Sequence, residues 1–236
     1  MNLASLKIIG MIHFPPLLGC EWYPGINYIL QKTEKDILTL EAGWVNAIII
    51  ENNYDIPHVK YLEPQTTAQM TYLAIKTREI TKLPLGICCL WNDWKSALSI
   101  ANIAWLQFVR IPVFVDHIKT SYGFEIQENP SEIQAYRKKI EAEHIKIIVD
   151  IHVKHSTILN NDTLDESAYH AVDAGADGLI VTGKWTGDAP DMSNLSLVRN
   201  TLGEHIPIFA GSGVDPTNVK NTLQIANGAI IGTYFK

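Results

Sequence analysis

Eight short apolar runs, alternating with segments of helical spacing, predict a single (β/α)8 TIM barrel that lacks its final C-terminal helix. Two observations carry that prediction. The runs are rich in β-branched residues and apolar throughout, as strands of a parallel sheet buried on both faces are. The segments between them repeat apolar residues near every 3.6 positions, and several meet a glycine just before the next run. Eight such units favour a closed barrel over an open, doubly wound sheet. The 236 residues suit one domain of this kind, and no linker, charge block or low-complexity stretch divides residues 1–236.

Taken in order, the strand-like runs are KIIGMIH (7–13), AIIIEN (47–52), LGICCLW (85–91) and LQFVRI (106–111), followed by IKIIVDIHV (145–153), GLIVTG (178–183), PIFAGSG (207–213) and GAIIGT (228–233). Between the first two, Ile26, Leu30, Ile37 and Leu40 share one helical face, and Gly43 stops the helix. TTAQMTYLAIKTREITK behaves alike, and PSEIQAYRKKIEAEH opens on Pro130 and Ser131, a plausible helix start. DESAYHAVDAGAD and DPTNVKNTLQIANG each reach a glycine before the next strand. After the eighth run only YFK remains. Outer-face residues such as Ile231 are therefore expected to meet water, at roughly 25 cal/mol per Å² of apolar surface. The N-terminal segment, a further tail or another subunit would have to cover that seam, and a homo-oligomer is the expected partner.

Composition narrows the function. The chain is 47% hydrophobic and 19% charged, with a mean hydropathy of +0.03, ordinary for a globular protein. A formal net charge of −6 argues against nucleic acid as a partner. Cys20, Cys88 and Cys89 are odd in number and have no CxxC spacing, and Cys88 and Cys89 point to opposite faces of one strand. They read as small buried hydrophobes in a reducing compartment. The N-terminus is broken by His13, Pro15 and Pro16 and lacks the basic start of a signal peptide. No run approaches the roughly 20 apolar residues of a spanning helix, so a cytoplasmic protein is expected.

In such a barrel, functional groups gather at the carboxyl ends of the strands. His13 ends the first run, and Glu51 and Asn52 end the second. Asn92 and Asp93 follow the third, Arg110 lies late in the fourth, and Thr182 and Gly183 end the sixth. In IVDIHVKH (148–155), Asp150, His152 and Lys154 occupy every second position, so a continuous strand places all three on one face, towards a polar pocket. Charged residues at one end of otherwise apolar strands are costly unless paired or bathed by such a pocket. The same set also fits a structural plug, with Arg110–Glu51 or Lys154–Asp150 ion pairs closing the mouth. His144, His155 and His205 read as surface or helix-end residues.

Glycines mark a second feature. Gly211, Ser212 and Gly213 follow the seventh strand, and Gly232 and Thr233 end the eighth, where this fold usually grips phosphate. TGKWTG (182–187) could complete that grip, although the missing last helix weakens it, and the glycines could equally serve tight turns alone. His13, Glu51, Asp150 and His152 are ligand types for a divalent metal, but no spacing tests that idea and no cofactor is assigned. No GxGxxG follows the first strand, and no GxxxxGK[ST] occurs.

GMIHFPPLLG, IIIEN with DIP following, LGICCLWND, FVRI, DIHVKH, VTGKWTG, GSGV and IIGTYFK together resemble the BtpA/SgcQ family, in that family's order and over nearly the whole chain. The resemblance implies a TIM barrel and two very different roles. One branch is described as a factor for photosystem I biogenesis, peripheral to the thylakoid; the other is treated as a sugar-metabolism enzyme of undefined chemistry. Trp91 stands where the family pattern has Arg before Asn-Asp, and TSYG, with Ser121 and Tyr122, stands where it has Thr-Asp-Gln-Gly.

The expected activity is acid–base or carbonyl chemistry on a small phosphorylated metabolite. Asp150, His152, Lys154, Glu51 and His13 are the candidate catalytic groups. Asn52, Asn92, Asp93, Arg110, Thr182 and Gly183 would bind the substrate, and Gly211, Ser212, Gly213, Gly232 and Thr233 its phosphate. The competing expectation is a non-enzymatic assembly factor that uses its outer surface.

Overall fold

The structure, a computed structural model, describes residues 1–183, 185 and 187–235. Eight parallel strands close into a barrel: β1 (Ile8–His13), β2 (Ala47–Glu51), β3 (Leu85–Cys88), β4 (Phe108–Ile111), β7 (Lys146–Ile151), β9 (Gly178–Thr182), β10 (Ile208–Gly211) and β11 (Gly228–Ile231). The first strand closes the ring against the last, with Ile8 opposite Ala229 and Gly10 opposite Ile231. The (β/α)8 barrel expected from the sequence is the fold observed. Three short strands, β5 (His117–Thr120), β6 (Glu125–Gln127) and β8 (Ser156–Ile158), form an antiparallel sheet beyond the barrel mouth in the order β6-β5-β8.

Helices α1 (Ile26–Ala42), α2 (Pro64–Ile80), α3 (Trp94–Ile103), α4 (Pro130–Lys139), α5 (Leu164–Asp173), α6 (Met192–Leu202) and α7 (Val219–Thr222) follow the barrel strands. Their starts obey local chemistry. Asp93 caps α3 by accepting from the Ser96 N–H, and Thr163 and Glu166 form a reciprocal capping box on α5. α4 takes Pro130 in its first turn after Asn129, whose side chain accepts from the Ser131 N–H. After β11 the described residues hold only a 3-10 turn, Thr233–Phe235.

The open seam expected there is not open. Ile231 is only 7% exposed and belongs to the same buried cluster as Ile37 and Leu40 of α1. Gly10 lets α1 in close, because a Cβ at that position would lie 2.7 Å from a Leu40 methyl. Burial of Ile231 therefore requires no second subunit. The N-terminal segment does other work: Leu3 and Leu6 join the cluster inside the barrel and close its floor. Gly228 permits this, since a Cβ there would collide with the Leu6 carbonyl. No helix is long and apolar enough to cross a membrane among the described residues.

Candidate functional site

Alternation along the strands builds the site. The inward residues Ile9, Met11, Ile49, Phe108, Ile148 and Phe209 fill the barrel below. The next inward residues on four of these strands are charged or ionisable: His13, Glu51, Arg110 and Asp150. Arg110 donates from Nε and Nη2 to the two carboxylate oxygens of Asp150, both at 2.8 Å. Its Nη1 reaches Glu51 Oε2 at 3.3 Å, and Glu51 Oε1 lies 3.5 Å from His13 Nε2. Asp150 is fully buried, and the bidentate pair satisfies both of its oxygens. Arg110 thus meets both carboxylates; the Lys154–Asp150 pair considered from the sequence is absent, because Lys154 turns elsewhere.

Strand β7 ends at Ile151, two residues short of the sequence expectation. His152 adopts φ +48° and donates its backbone N–H to Asp116 at 2.9 Å. That turn breaks the two-residue alternation on which a shared face depended. His152 does not line the mouth; its Nε2 is buried with no partner among the described residues. Lys154 enters the mouth from beyond the turn, and its Nζ donates to Ser212 Oγ at 2.7 Å.

Above this layer lies a cavity of about 580 Å³. Its floor carries His13, Glu51, Arg110 and Lys154. One wall is made by Gly211 to Asp215 and Gly232 to Tyr234; the opposite wall holds Tyr54, Ile56, Trp91, Tyr122 and Val153. The backbone N–H groups of Gly213, Val214, Gly232 and Thr233 find no backbone acceptor among the described residues. Ser212 has φ +71° and Gly213 φ +58°. Glycine is required at 213 for a further reason: a Cβ would collide with the backbone of Asp188 and Ala189, which packs across it.

Several residues expected at the site serve the loops instead. Asn52 clasps Leu90, accepting from its N–H at 2.7 Å and donating to its carbonyl at 3.2 Å. Asn92 clasps Val113 in the same two-way manner, at 2.8 and 3.0 Å. Asp93 accepts from the N–H groups of Ser96 and Leu62. An amide or carboxylate side chain here substitutes for a backbone partner, so none of the three lines the cavity. Thr182 and Gly183 do not line it either: Thr182 Oγ1 is buried without a partner among the described residues, and Gly183 packs against the Asp188 carbonyl. Of TGKWTG, Lys184 and Thr186 lie outside the described residues.

The metal-ligand set does not converge. Asp150 spends both oxygens on Arg110, His152 is turned away, and no group of three or more His, Cys, Asp or Glu is placed to hold an ion among the described residues. His155 was expected at the surface but lines the cavity, with φ +58° and its ring 5.4 Å from that of Trp185. Asn53, Tyr54 and Asp215 also line it and were missed, since each sits on a loop without periodicity. Trp91 and Tyr122 stood out in the sequence only as departures from the family pattern.

The electrostatics are asymmetric. Burial alone would raise the Glu51 carboxyl, but the charges of His13, Arg110 and Lys154 and a hydrogen bond from Cys88 outweigh it and hold the carboxyl below its usual range. Burial and then the Arg110 charge push the Lys154 amine down, and Glu51 and Asp150 offset only part of that. Burial and the neighbouring Lys154 lower His155 as well. The layer therefore presents an ionised carboxylate beside an amine that gives up its proton more readily than a free lysine.

The sequence model of the BtpA family matches residues 5–236. The chain is 32% identical over 232 residues to the photosystem I biogenesis protein BtpA of Synechocystis, a match covering 97% of this chain and 80% of that protein. Among solved structures it is similar to the N-acetylmannosamine-6-phosphate 2-epimerase of Clostridium perfringens, with a TM-score of 0.63 at 16% identity, covering 99% of this chain and 90% of that one. It is also similar to the 2-keto 3-deoxygluconate aldolase of Picrophilus torridus, with a TM-score of 0.61 at 13% identity, covering 98% and 74%. At such identities the two likenesses speak for the fold.

Proposed function

The chain belongs to the BtpA family, and from that premise we propose that it is a metabolic enzyme acting on a small phosphorylated, sugar-phosphate-like substrate by acid–base or carbonyl chemistry. One observation carries the reading. The Lys154 amine sits 2.7 Å from Ser212 in a cavity of about 580 Å³, beside the carboxylate of Glu51 and next to loops several of whose N–H groups have no backbone acceptor among the described residues. Unpaired N–H groups on small-residue loops are a natural anion cradle. Ser212, Gly213, Gly232 and Thr233 are assigned to the phosphate, with Lys154 drawn towards the same edge. Gly211 contributes by giving the chain room where a Cβ would press on Ile180 and Thr182 at 2.8 and 2.9 Å.

In this reading Glu51 takes or returns a proton at the reacting carbon, and Lys154 polarises or attacks a carbonyl. Arg110 contributes to both: after His13 its charge helps keep Glu51 ionised, and after burial it favours the neutral Lys154 amine. Asp150 acts through Arg110 and positions it, without touching substrate. His13 orients Glu51 from the other side. By analogy, the name of one structural neighbour, a 6-phosphate epimerase, supports the phosphorylated substrate, and that of the other, an aldolase, supports the carbonyl chemistry. The three free cysteines accord with a cytoplasmic setting.

The test is a thermal-shift and turnover screen with phosphorylated aldoses and ketoses. A ligand at about 100 times its Kd should add about 2.7 kcal/mol of stability. Lys154→Met and Glu51→Gln should abolish turnover while the protein stays folded. Full turnover in both variants, or no stabilisation by any phosphorylated compound, overturns the reading.

A second reading, an assembly role of the kind the Synechocystis relative's name states, has one observation in its favour. Trp44 and Trp105, 85% and 71% exposed, precede β2 and β4 and so lie at the end of the barrel opposite the cavity. Capture of a partner lost in Trp44→Ser but kept in Lys154→Met would favour it.

A further inference from the structure

We propose that the substrate carries a planar aromatic ring at the end opposite its phosphate, seated against Trp91 and Tyr122. The inference rests on the phosphate reading above and extends it to the other half of the cavity. The two walls differ in kind. The wall after β10 and β11 offers small residues and N–H groups without backbone acceptors among the described residues. The wall across from it offers Tyr54, Ile56, Trp91, Tyr122 and Val153, large side chains with few hydrogen-bonding groups among them. A bare sugar needs many donors and acceptors around its hydroxyls, and that wall supplies mainly apolar and aromatic surface.

Size points the same way. At about 30 Å³ per water, a cavity of about 580 Å³ equals roughly twenty waters, and a phosphate group fills a small part of it. The ring wall is also built firmly. Trp91 is only 5% exposed and packs with Val113, Ile118, Ile126 and Val153 in a small core of its own, between the β6-β5-β8 sheet and the barrel. Tyr122 stands on the turn between β5 and β6, where Gly123 donates to the Thr120 carbonyl. Its ring is stacked on Phe124 at 6.5 Å and set edge-on to His58 at 5.0 Å, yet 43% of the residue remains exposed. Tyr54, 41% exposed, meets His13 edge-on at 6.1 Å. Tyr122 and Tyr54, held in place and left part-open beside a cavity that the buried Trp91 also lines, are suited to stack a flat ring. The reacting centre would then lie between the two ends, over Glu51 and Lys154.

The experiment compares inorganic phosphate, methyl phosphate and phenyl phosphate by isothermal titration on the intact protein. Phenyl phosphate should bind at least about ten-fold more tightly than methyl phosphate. Tyr122→Ser lies on an exposed turn and removes no buried core residue, so it is read first, with its melting curve as the check on folding; it should bring that ratio down several-fold. Trp91→Leu, checked by its melting curve, should do the same. If methyl and phenyl phosphate bind equally well, the ring inference fails and the phosphate reading survives. If both variants keep the full ratio, the assignment to this wall fails. If none of the three compounds binds, the phosphate reading falls too and takes this inference with it.

Discussion

The lower part of the barrel interior holds Ile9, Ile49, Phe108, Ile148 and Phe209, each fully buried. Higher on the inward face, the same sheet carries His13, Glu51, Arg110 and Asp150. Below, stability comes from close packing, which is sensitive to volume and indifferent to pH. Above, ions are removed from water, and their cost is offset only while each keeps its partners. A fold that needed only a plug at this height would be served as well or better by apolar residues of similar volume. The charged layer therefore adds little to stability that apolar packing would not, and it lies directly under the cavity assigned to the substrate in the proposed function.

The largest expected effect tests the pairing itself. Asp150→Asn leaves Arg110 with a neutral partner in a dry site and should cost about 3–5 kcal/mol, read as a lowered urea midpoint. The double variant Arg110→Met/Asp150→Leu should recover most of that loss while removing the charges that tune Glu51 and Lys154. A single variant that loses less than about 1 kcal/mol would show that the upper layer is solvated and the contrast between the two halves unreal. Next in size is a packing change below. A Cβ at Gly86 would collide with the Phe108 ring, so Gly86→Ala should cost about 1–3 kcal/mol, with no effect on ligand binding at the mouth. An effect on binding from that position would mean that the two halves are mechanically coupled.

The smallest effect concerns pH. The Glu51 carboxyl titrates below the ordinary value of 4.5, so its ionised form contributes stability that is whole above 4.5 and lost as the pH falls through the lowered value. Glu51→Gln should flatten that acid limb, measured as urea midpoints between roughly pH 6 and pH 3. The lower half, which carries no titrating group, should contribute nothing to the slope. An unchanged acid limb in Glu51→Gln would place the pH sensitivity elsewhere.

The barrel was legible because every strand is apolar on both faces, a pattern independent of what the loops do. The runs at 47–52 and 178–183 match their strands to within one residue. The inward positions of Glu51, Arg110 and Asp150 were legible for the same reason, since alternation holds while a strand continues. It failed at His152, where a positive φ turns the chain, and nothing in IVDIHVKH announces that turn. Asn52, Asn92 and Asp93 show a second limit. A polar residue after a strand reads alike whether it faces a ligand or clasps a neighbouring loop, and only the position of Leu90 or Val113 decides. The antiparallel sheet β6-β5-β8 joins the short β5–β6 hairpin to a strand well downstream, with Ile118 opposite Ile158, so its small core around Trp91 had no local signature.

The pairing of β1 with β11 has a consequence for how the molecule is made. More than two hundred residues separate Ile8 from Ala229, and closure of so long a loop is among the slow steps in acquiring a fold. At about 5–20 residues per second of synthesis, the earliest strand waits on the order of ten seconds or more for its neighbour. During that wait the first strand has one unoccupied hydrogen-bonding edge, and the floor closed by Leu3 and Leu6 is unfinished. The sheet can close into a barrel only once the residues of β11 reach those of β1.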